Sequence, residues 1–455
     1  MKTAKAITTG VMVGCLVLLA ASGARAQDWP QWRGPNRDGK ATGFTTPKTW
    51  PKELTQKWKV TVDDGVASPA LVGDKLYVFT REGDDEVLRC LAVADGKEIW
   101  KEKYESPSFK GPDSRFQGPR SSPAVADGKV VTLGATGILT CSDAASGKRL
   151  WQKDDFKGFR PPFHAASSPI IVNGLCIAQV GGRENGQRDG NMNGAIAAYD
   201  LATGNEKWTW TGDGPGYASP VLATVGGAKA IVAETEGNIV AVSAADGKQL
   251  WKTDFKVRYN ACTPMVDGQT VIYSGSGGGG RGGRGGRGGR GESGGSAGGT
   301  KAVKLEKKGD KIAANDLWSN SDSAVMYNTP VIKNGLIFGI SDGNKLFCIN
   351  EESGKTAWSA AIGPAAGGGG GGGGRGRGRG GMMGGGGYGS VVDAGSVLFA
   401  LTPSGQLVVF EPSDKEYKEI AKYTVAKGDT YAYPVVSGNR VFVKDKDSLT
   451  LWTIE

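Results

Sequence analysis

Few side chains in this chain can do acid–base or metal chemistry. There is one histidine, His164, among 455 residues. A single imidazole excludes any multi-histidine metal site and leaves a Ser-His-Asp arrangement possible only through that residue. The cysteines show no Cys-x-x-Cys spacing and no adjacent pair. Arginine is concentrated in two glycine tracts. Arg281, Arg284, Arg287 and Arg290 lie between Gly275 and Gly299, and Arg375, Arg377 and Arg379 between Gly363 and Gly389. Arg-Gly-Gly spacing can hold RNA through charge and cation–π contacts. In an exported chain the anionic partner is an envelope polymer or a lipid head group. The leading expectation for both tracts is a tolerated, disordered low-complexity insertion with no partner.

Export is what the N-terminus predicts. Lys2 and Lys5 precede an apolar run from Val11 to Ala21, and Ala24-Arg25-Ala26 has the form of a cleavage site. Cleavage after Ala26 is expected, with lipidation at Cys15 as the other possibility. The run is short for a bilayer span, and no later segment is apolar enough to cross one. A soluble, monomeric, periplasmic or extracellular protein follows. The formal charge of +9 is local. Lys2, Lys5 and Arg25 contribute three charges and the tracts six, which leaves a neutral body. A basic groove on the folded part is therefore not expected.

An internal repeat dominates the remainder. Five segments align on a tryptophan without gaps: Cys90–Trp100, Cys141–Trp151, Ala198–Trp208, Ala241–Trp251 and Cys348–Trp358. Each places a glycine four residues before the tryptophan, at Gly96, Gly147, Gly204, Gly247 and Gly354. A strand, a tight turn with positive φ at glycine and a second strand ending in a large aromatic fit this pattern. Trp318 ends a degenerate copy. Upstream stands Ser-Pro or Thr-Pro, at Ser68, Ser122, Ser168, Ser219, Thr263 and Thr329, with Tyr433-Pro434 and Gly389-Ser390 as variants. Proline is tolerated at the first residue of a strand.

One unit is thus four short strands, and radial repetition of such units is a propeller. Eight starts predict an all-β, eight-bladed propeller over residues 54–455. The last unit has only three strands. The segment around Trp58, from Leu54 to Val60, supplies the fourth and closes the ring. Residues 27–53 form an N-terminal extension. Cys90, Cys141 and Cys348 fall in the slot of Ala198 and Ala241, a place for a small buried side chain.

The Gly-turn-Trp unit and the Ser-Pro start resemble the repeat of the pyrroloquinoline-quinone (PQQ)-type propeller family over roughly residues 50–455. The opening Asp28–Gly39 is similar to the start of many exported bacterial members. The resemblance implies one of two roles. The catalytic branch uses PQQ, a calcium ion held by carboxylate and amide ligands, a catalytic Asp and a vicinal Cys-Cys disulfide. This chain has no Cys-Cys pair and no Cys-x-x-Cys-His haem site, and Asp113 and Glu184 are the nearest loop acids. The other branch comprises BamB-like assembly propellers, which are protein-binding scaffolds.

The long insertions fall in loops that open on one face. They are 101–120, 181–194, 275–299 and 363–389. Elaborated loops on a rigid scaffold mark a working face. Residues just before each strand start should ring the axis there: Arg120, His164, Tyr217, Asn260, Asn328, Tyr388 and Tyr431, with Arg160 and Arg183 within reach. Such a rim suits a small anionic or hydroxylated ligand. Mutual hydrogen bonding around the channel is the competing role. The leading functional expectation is a non-catalytic scaffold that binds an envelope protein or a small ligand, with no metal and no cofactor. A PQQ–calcium oxidoreductase is the second, and a lyase or hydrolase using the axial Arg and His the third.

Overall fold

The computed structural model describes residues 27–106, 116–277, 298–309, 311–362 and 387–455. The expected leader, Asp113 and both arginine tracts lie outside these. Among the described residues there is no helix, and the strands form eight antiparallel sheets. The structure is an eight-bladed β-propeller. Seven blades are consecutive four-stranded meanders, the first of them spanning Ala70–Glu105. A short extra strand, Phe159–Arg160, joins the third blade. The eighth blade combines Val435–Ser437, Arg440–Lys444 and Ser448–Thr453 with the N-terminal strand Thr55–Thr61, which pairs antiparallel to Ser448–Thr453. The expected closure is therefore observed. Lys444 seals that junction, its ammonium donating to the carbonyls of Gly65, Asp445 and Lys446 at 2.6–3.2 Å.

The repeat residues act between blades. Each tryptophan stands opposite the small slot on the neighbouring strand: Cys90 faces Trp100, Cys141 faces Trp151 and Ala198 faces Trp208. A bulge follows each pair and turns the indole towards the next blade. The indole then lies on that blade's turn glycine. At Gly147, with φ of 75°, a Cβ would stand 2.4 Å from the Trp100 ring. Only glycine permits both the backbone and the approach. Indole N–H groups complete the staple. Trp151 donates to Leu201 O at 3.0 Å and Trp318 to Glu351 O at 2.7 Å. The five described cysteines are free and buried.

The Ser-Pro starts form a second circuit, nearer the axis. The backbone N–H of Ser68 donates to the Ser122 hydroxyl, and Ser122 in turn to Ser168. The series continues through Ser219, Thr263 and Thr329. Thr329 donates to the Tyr433 hydroxyl, and the Tyr433 N–H returns to Ser68. All seven bonds measure 2.6–3.2 Å. The seventh blade is bypassed. Tyr433 is long enough to span it, and the buried Ser390 hydroxyl takes no part.

The N-terminal extension is more than a leader to the closing strand. Residues 27–41 enter the axis from the face of the tight turns and touch all eight blades. Trp29 pairs with Leu71 in the first blade, and Pro30 O accepts from Val125 N in the second. The Arg37 guanidinium donates to Ser168, Pro169 and Pro220 carbonyls in the third and fourth. The Trp32 indole donates to Thr263 in the fifth at 3.1 Å, and Arg33 to Pro330 O in the sixth at 2.6 Å. Gly39 and Ala41 bond the Asp393 backbone in the seventh, and Trp32 packs edge-on against Tyr433 of the eighth. Both guanidiniums are buried, and burial pulls the Arg37 pKa down to about 9. Carbonyl oxygens of inner strands are their counter-dipoles.

Candidate functional site

With one axial end occupied by this hub, the candidate site is the opposite, loop-rich mouth. Its ring is built from the residue two places before each strand start. That slot holds Tyr217, Tyr327, Tyr388 and Tyr431 in the fourth, sixth, seventh and eighth blades, and Arg120 in the second. Ala166 and Ala261 leave gaps in the third and fifth blades. Phe163 and Tyr259, from slightly earlier in those loops, stand at these gaps in the ring. The result is a chain of touching aromatic rings. It runs from Phe116 through Tyr431, Tyr388, Tyr327 and Tyr259 to Phe163 and Tyr217, with centroids 4.3–6.3 Å apart. Tyr327 and Tyr388 stack nearly parallel, at 15°. All seven rings are partly exposed. Burial and tyrosine neighbours raise the Tyr327 pKa, and burial pushes that of Tyr217 up to about 12, so both hydroxyls stay protonated.

Cations lie against this collar. Arg188 stacks over Phe163 at 5.3 Å, Arg258 over Tyr259 at 5.3 Å and Lys446 over Phe116 at 5.8 Å. All three are exposed. Among the described residues none of them forms a salt bridge with a carboxylate. Two acids beside the collar have partners. Glu236 pairs with Arg183 at 2.7 Å, and Asp429 accepts from the Tyr431 hydroxyl.

The sequence-selected residues divide into two groups. Tyr217, Tyr388 and Tyr431 belong to the collar. Arg120 shares their slot but turns its guanidinium to the carbonyls of Phe163 and Phe116, which fixes two collar loops. His164 is 4% exposed, with φ of 70°. Burial, with Arg120, Arg160 and Arg81 nearby, pulls its pKa down to about 3, so the imidazole is neutral at physiological pH. Arg160 lies under the long hairpin of the third blade, paired across strands with Arg183. Asn260 and Asn328 are buried and do structural work. Asn260 O accepts from Tyr217 and Ala218 N–H groups, and the Asn328 amide donates to Ile340 O and Gly387 O. Phe116, Phe163, Tyr259 and Tyr327 complete the collar beyond the residues that the sequence predicts. Tyr327 was within reach, since it occupies the same slot as Tyr217; the other three come from loop positions that do not repeat.

The buried carboxyls do not converge. Glu86 accepts from the Tyr104 hydroxyl and the Ala135 N–H in the first interblade seam. Glu234 is fully buried in the fourth blade, where burial drives its pKa well up. Among the described residues no three of His, Cys, Asp and Glu come together as metal ligands.

The sequence profile described as outer membrane protein assembly factor BamB matches residues 48–189, 191–285 and 348–455. A quinohemoprotein alcohol dehydrogenase of Pseudomonas putida is 30% identical over 202 residues, 44% of this chain and 26% of its own length. BamB of Burkholderia pseudomallei is 25% identical over 209 residues, 44% of this chain and 46% of its own. The chain thus spans about a quarter to half of these relatives. Among solved structures, BamB from Moraxella catarrhalis superposes with a TM-score of 0.57 at 15% identity, over 88% of this chain and 98% of that one. The quinohemoprotein alcohol dehydrogenase of Comamonas testosteroni gives 0.60 at 14%, over 95% and 81%. At such identities the likeness is one of fold. The profile match, over most of the chain, places this protein in the BamB-type family of PQQ-like repeat propellers.

Proposed function

We propose that this chain is an exported, non-catalytic propeller that binds a protein of the cell envelope through its loop-rich mouth. The contrast between the two axial ends carries this reading. One is occupied by residues 27–41, while the other presents a collar of half-exposed aromatic rings with exposed cations. Aromatic and arginine side chains are what protein interfaces concentrate at their energetic centres. Relatives described as outer membrane protein assembly factors support a protein partner. Export rests on the sequence of residues 1–26. No helix of the described residues is long and apolar enough to cross a membrane.

The test is site-specific photo-crosslinking in the envelope from Asn185, at the tip of the third blade's long hairpin, against Asn173, in the tight turn on the opposite face of the same blade. Both are exposed. Cross-links to one defined protein are expected from Asn185. Cross-links from Asn173 alone would reverse the assignment of faces.

The quinohemoprotein relatives support a second reading, a PQQ- and calcium-dependent oxidoreductase. Purified protein titrated with PQQ and calcium then gains thermal stability in a saturable way. The scaffold reading expects no shift.

A further inference from the structure

Resting on the scaffold reading, we infer that the mouth receives a protruding protein loop whose tip is apolar or aromatic and whose flanks are acidic. The shape of the site sets the first half. The collar encircles the axis, and residues 27–41 occupy the other end of it. A partner can therefore enter from one direction only. A tip seated on the collar meets ring faces and edges from Phe116 round to Tyr217. Apolar or aromatic groups gain most from such surroundings.

Charge sets the second half. Arg188, Arg258 and Lys446 come from the third, fifth and eighth blades, so positive charge stands at three separated points around the collar. Each is exposed and held by a ring rather than by a carboxylate of the described residues. Two carboxylates beside the collar, Glu236 and Asp429, are already bonded. A single anionic group at the tip would meet none of the three cations well. Acidic residues flanking the tip would meet all of them. Three such contacts would also fix the loop's rotation about the axis, which the ring of similar aromatics does not.

The full chain can be tested with a fluorescein-labelled, disulfide-cyclised peptide of sequence Cys-Glu-Glu-Phe-Pro-Glu-Glu-Cys, read by anisotropy at about 50 mM and about 300 mM NaCl. Saturable binding is expected, weaker at the higher salt. Replacing the four Glu by Gln, or the Phe by Ala, should weaken it about tenfold or more. Polygalacturonate, anionic without an aromatic tip, should compete poorly. In the protein, the combined Arg188→Glu, Arg258→Glu and Lys446→Glu variant should lose about tenfold in affinity with unchanged melting. Tyr327→Ala with Tyr388→Ala should lose binding at either salt. Absence of peptide binding, equal binding of the Gln peptide, or equal binding of polygalacturonate overturns the inference. If Asn185 still cross-links an envelope protein in those cases, the scaffold reading stands and only the partner chemistry falls. Cross-links from Asn173 alone remove both.

Discussion

Two polar residues meet the same blade-seam requirement in different ways. Glu234 and Gln179 occupy the same register position in adjacent blades, each two residues beyond the strand pair that faces the small slot. Gln179 accepts from Gly216 N and donates to Ala218 O, a neutral solution to the seam. Glu234 is a buried acid with no hydrogen-bond partner at either carboxyl oxygen, and burial holds its pKa well above 4.5. A carboxyl raised in the folded state binds a proton that the unfolded chain has released, so its contribution to stability falls as pH rises above about 4.5. Glu234→Gln should therefore stabilise the protein by about 1–3 kcal/mol at neutral pH. The gain should vanish near pH 4, which melting curves across that range will show. The turn glycine is the converse case. Gly147→Ala puts a methyl into the Trp100 ring at a positive φ, and a loss of at least about 2 kcal/mol in denaturant unfolding is expected.

At the scale of elements, the axial hub makes the strongest prediction. Arg37→Ala strips three carbonyls of two blades of their charged donor. It should cost about 3 kcal/mol or more. Arg37→Lys should recover less than half of that, because one ammonium lacks the fork whose two nitrogens reach Pro169 on one side and Ser168 and Pro220 on the other. A melting temperature unchanged in Arg37→Ala would show that the hub is an ornament on a self-sufficient ring. The first arginine tract makes the opposite prediction. Gly275 and Gly299 are cross-strand partners, a rung that a short turn in place of residues 278–297 would also join. Their replacement by a short Gly-Asn turn should leave melting within a degree or so of the parent.

For the whole molecule, closure and blade order were legible in the sequence because the repeat is a physical unit. A glycine turn, an aromatic four residues on and a hydroxyl-proline start each satisfy a requirement that recurs at most seams. Eight copies with one strand missing leave one place for the strand at Trp58. Removing residues 27–61 should abolish cooperative unfolding altogether, since hub and closing strand go together; a retained sharp transition in calorimetry would contradict this. The candidate site was half legible. Tyr217, Tyr388 and Tyr431 repeat in register, whereas Phe116, Phe163 and Tyr259 reach the collar from loops of unequal length.

The sequence by itself determined the eight-bladed ring, its closing strand, the slot shared by three cysteines and two alanines, and the face on which the long loops gather. These are local or periodic properties, and periodicity survives in one dimension. The tertiary structure decided what happens on the axis. It brought residues 27–41 against all eight blades, joined the Ser-Pro hydroxyls into a circuit, and gathered seven rings from seven separate loops into one collar. Around the axis every blade contributes one residue at a time, so neighbours there lie tens or hundreds of positions apart in the chain. No pattern along the sequence records such a meeting, and only closure of the ring brings it about.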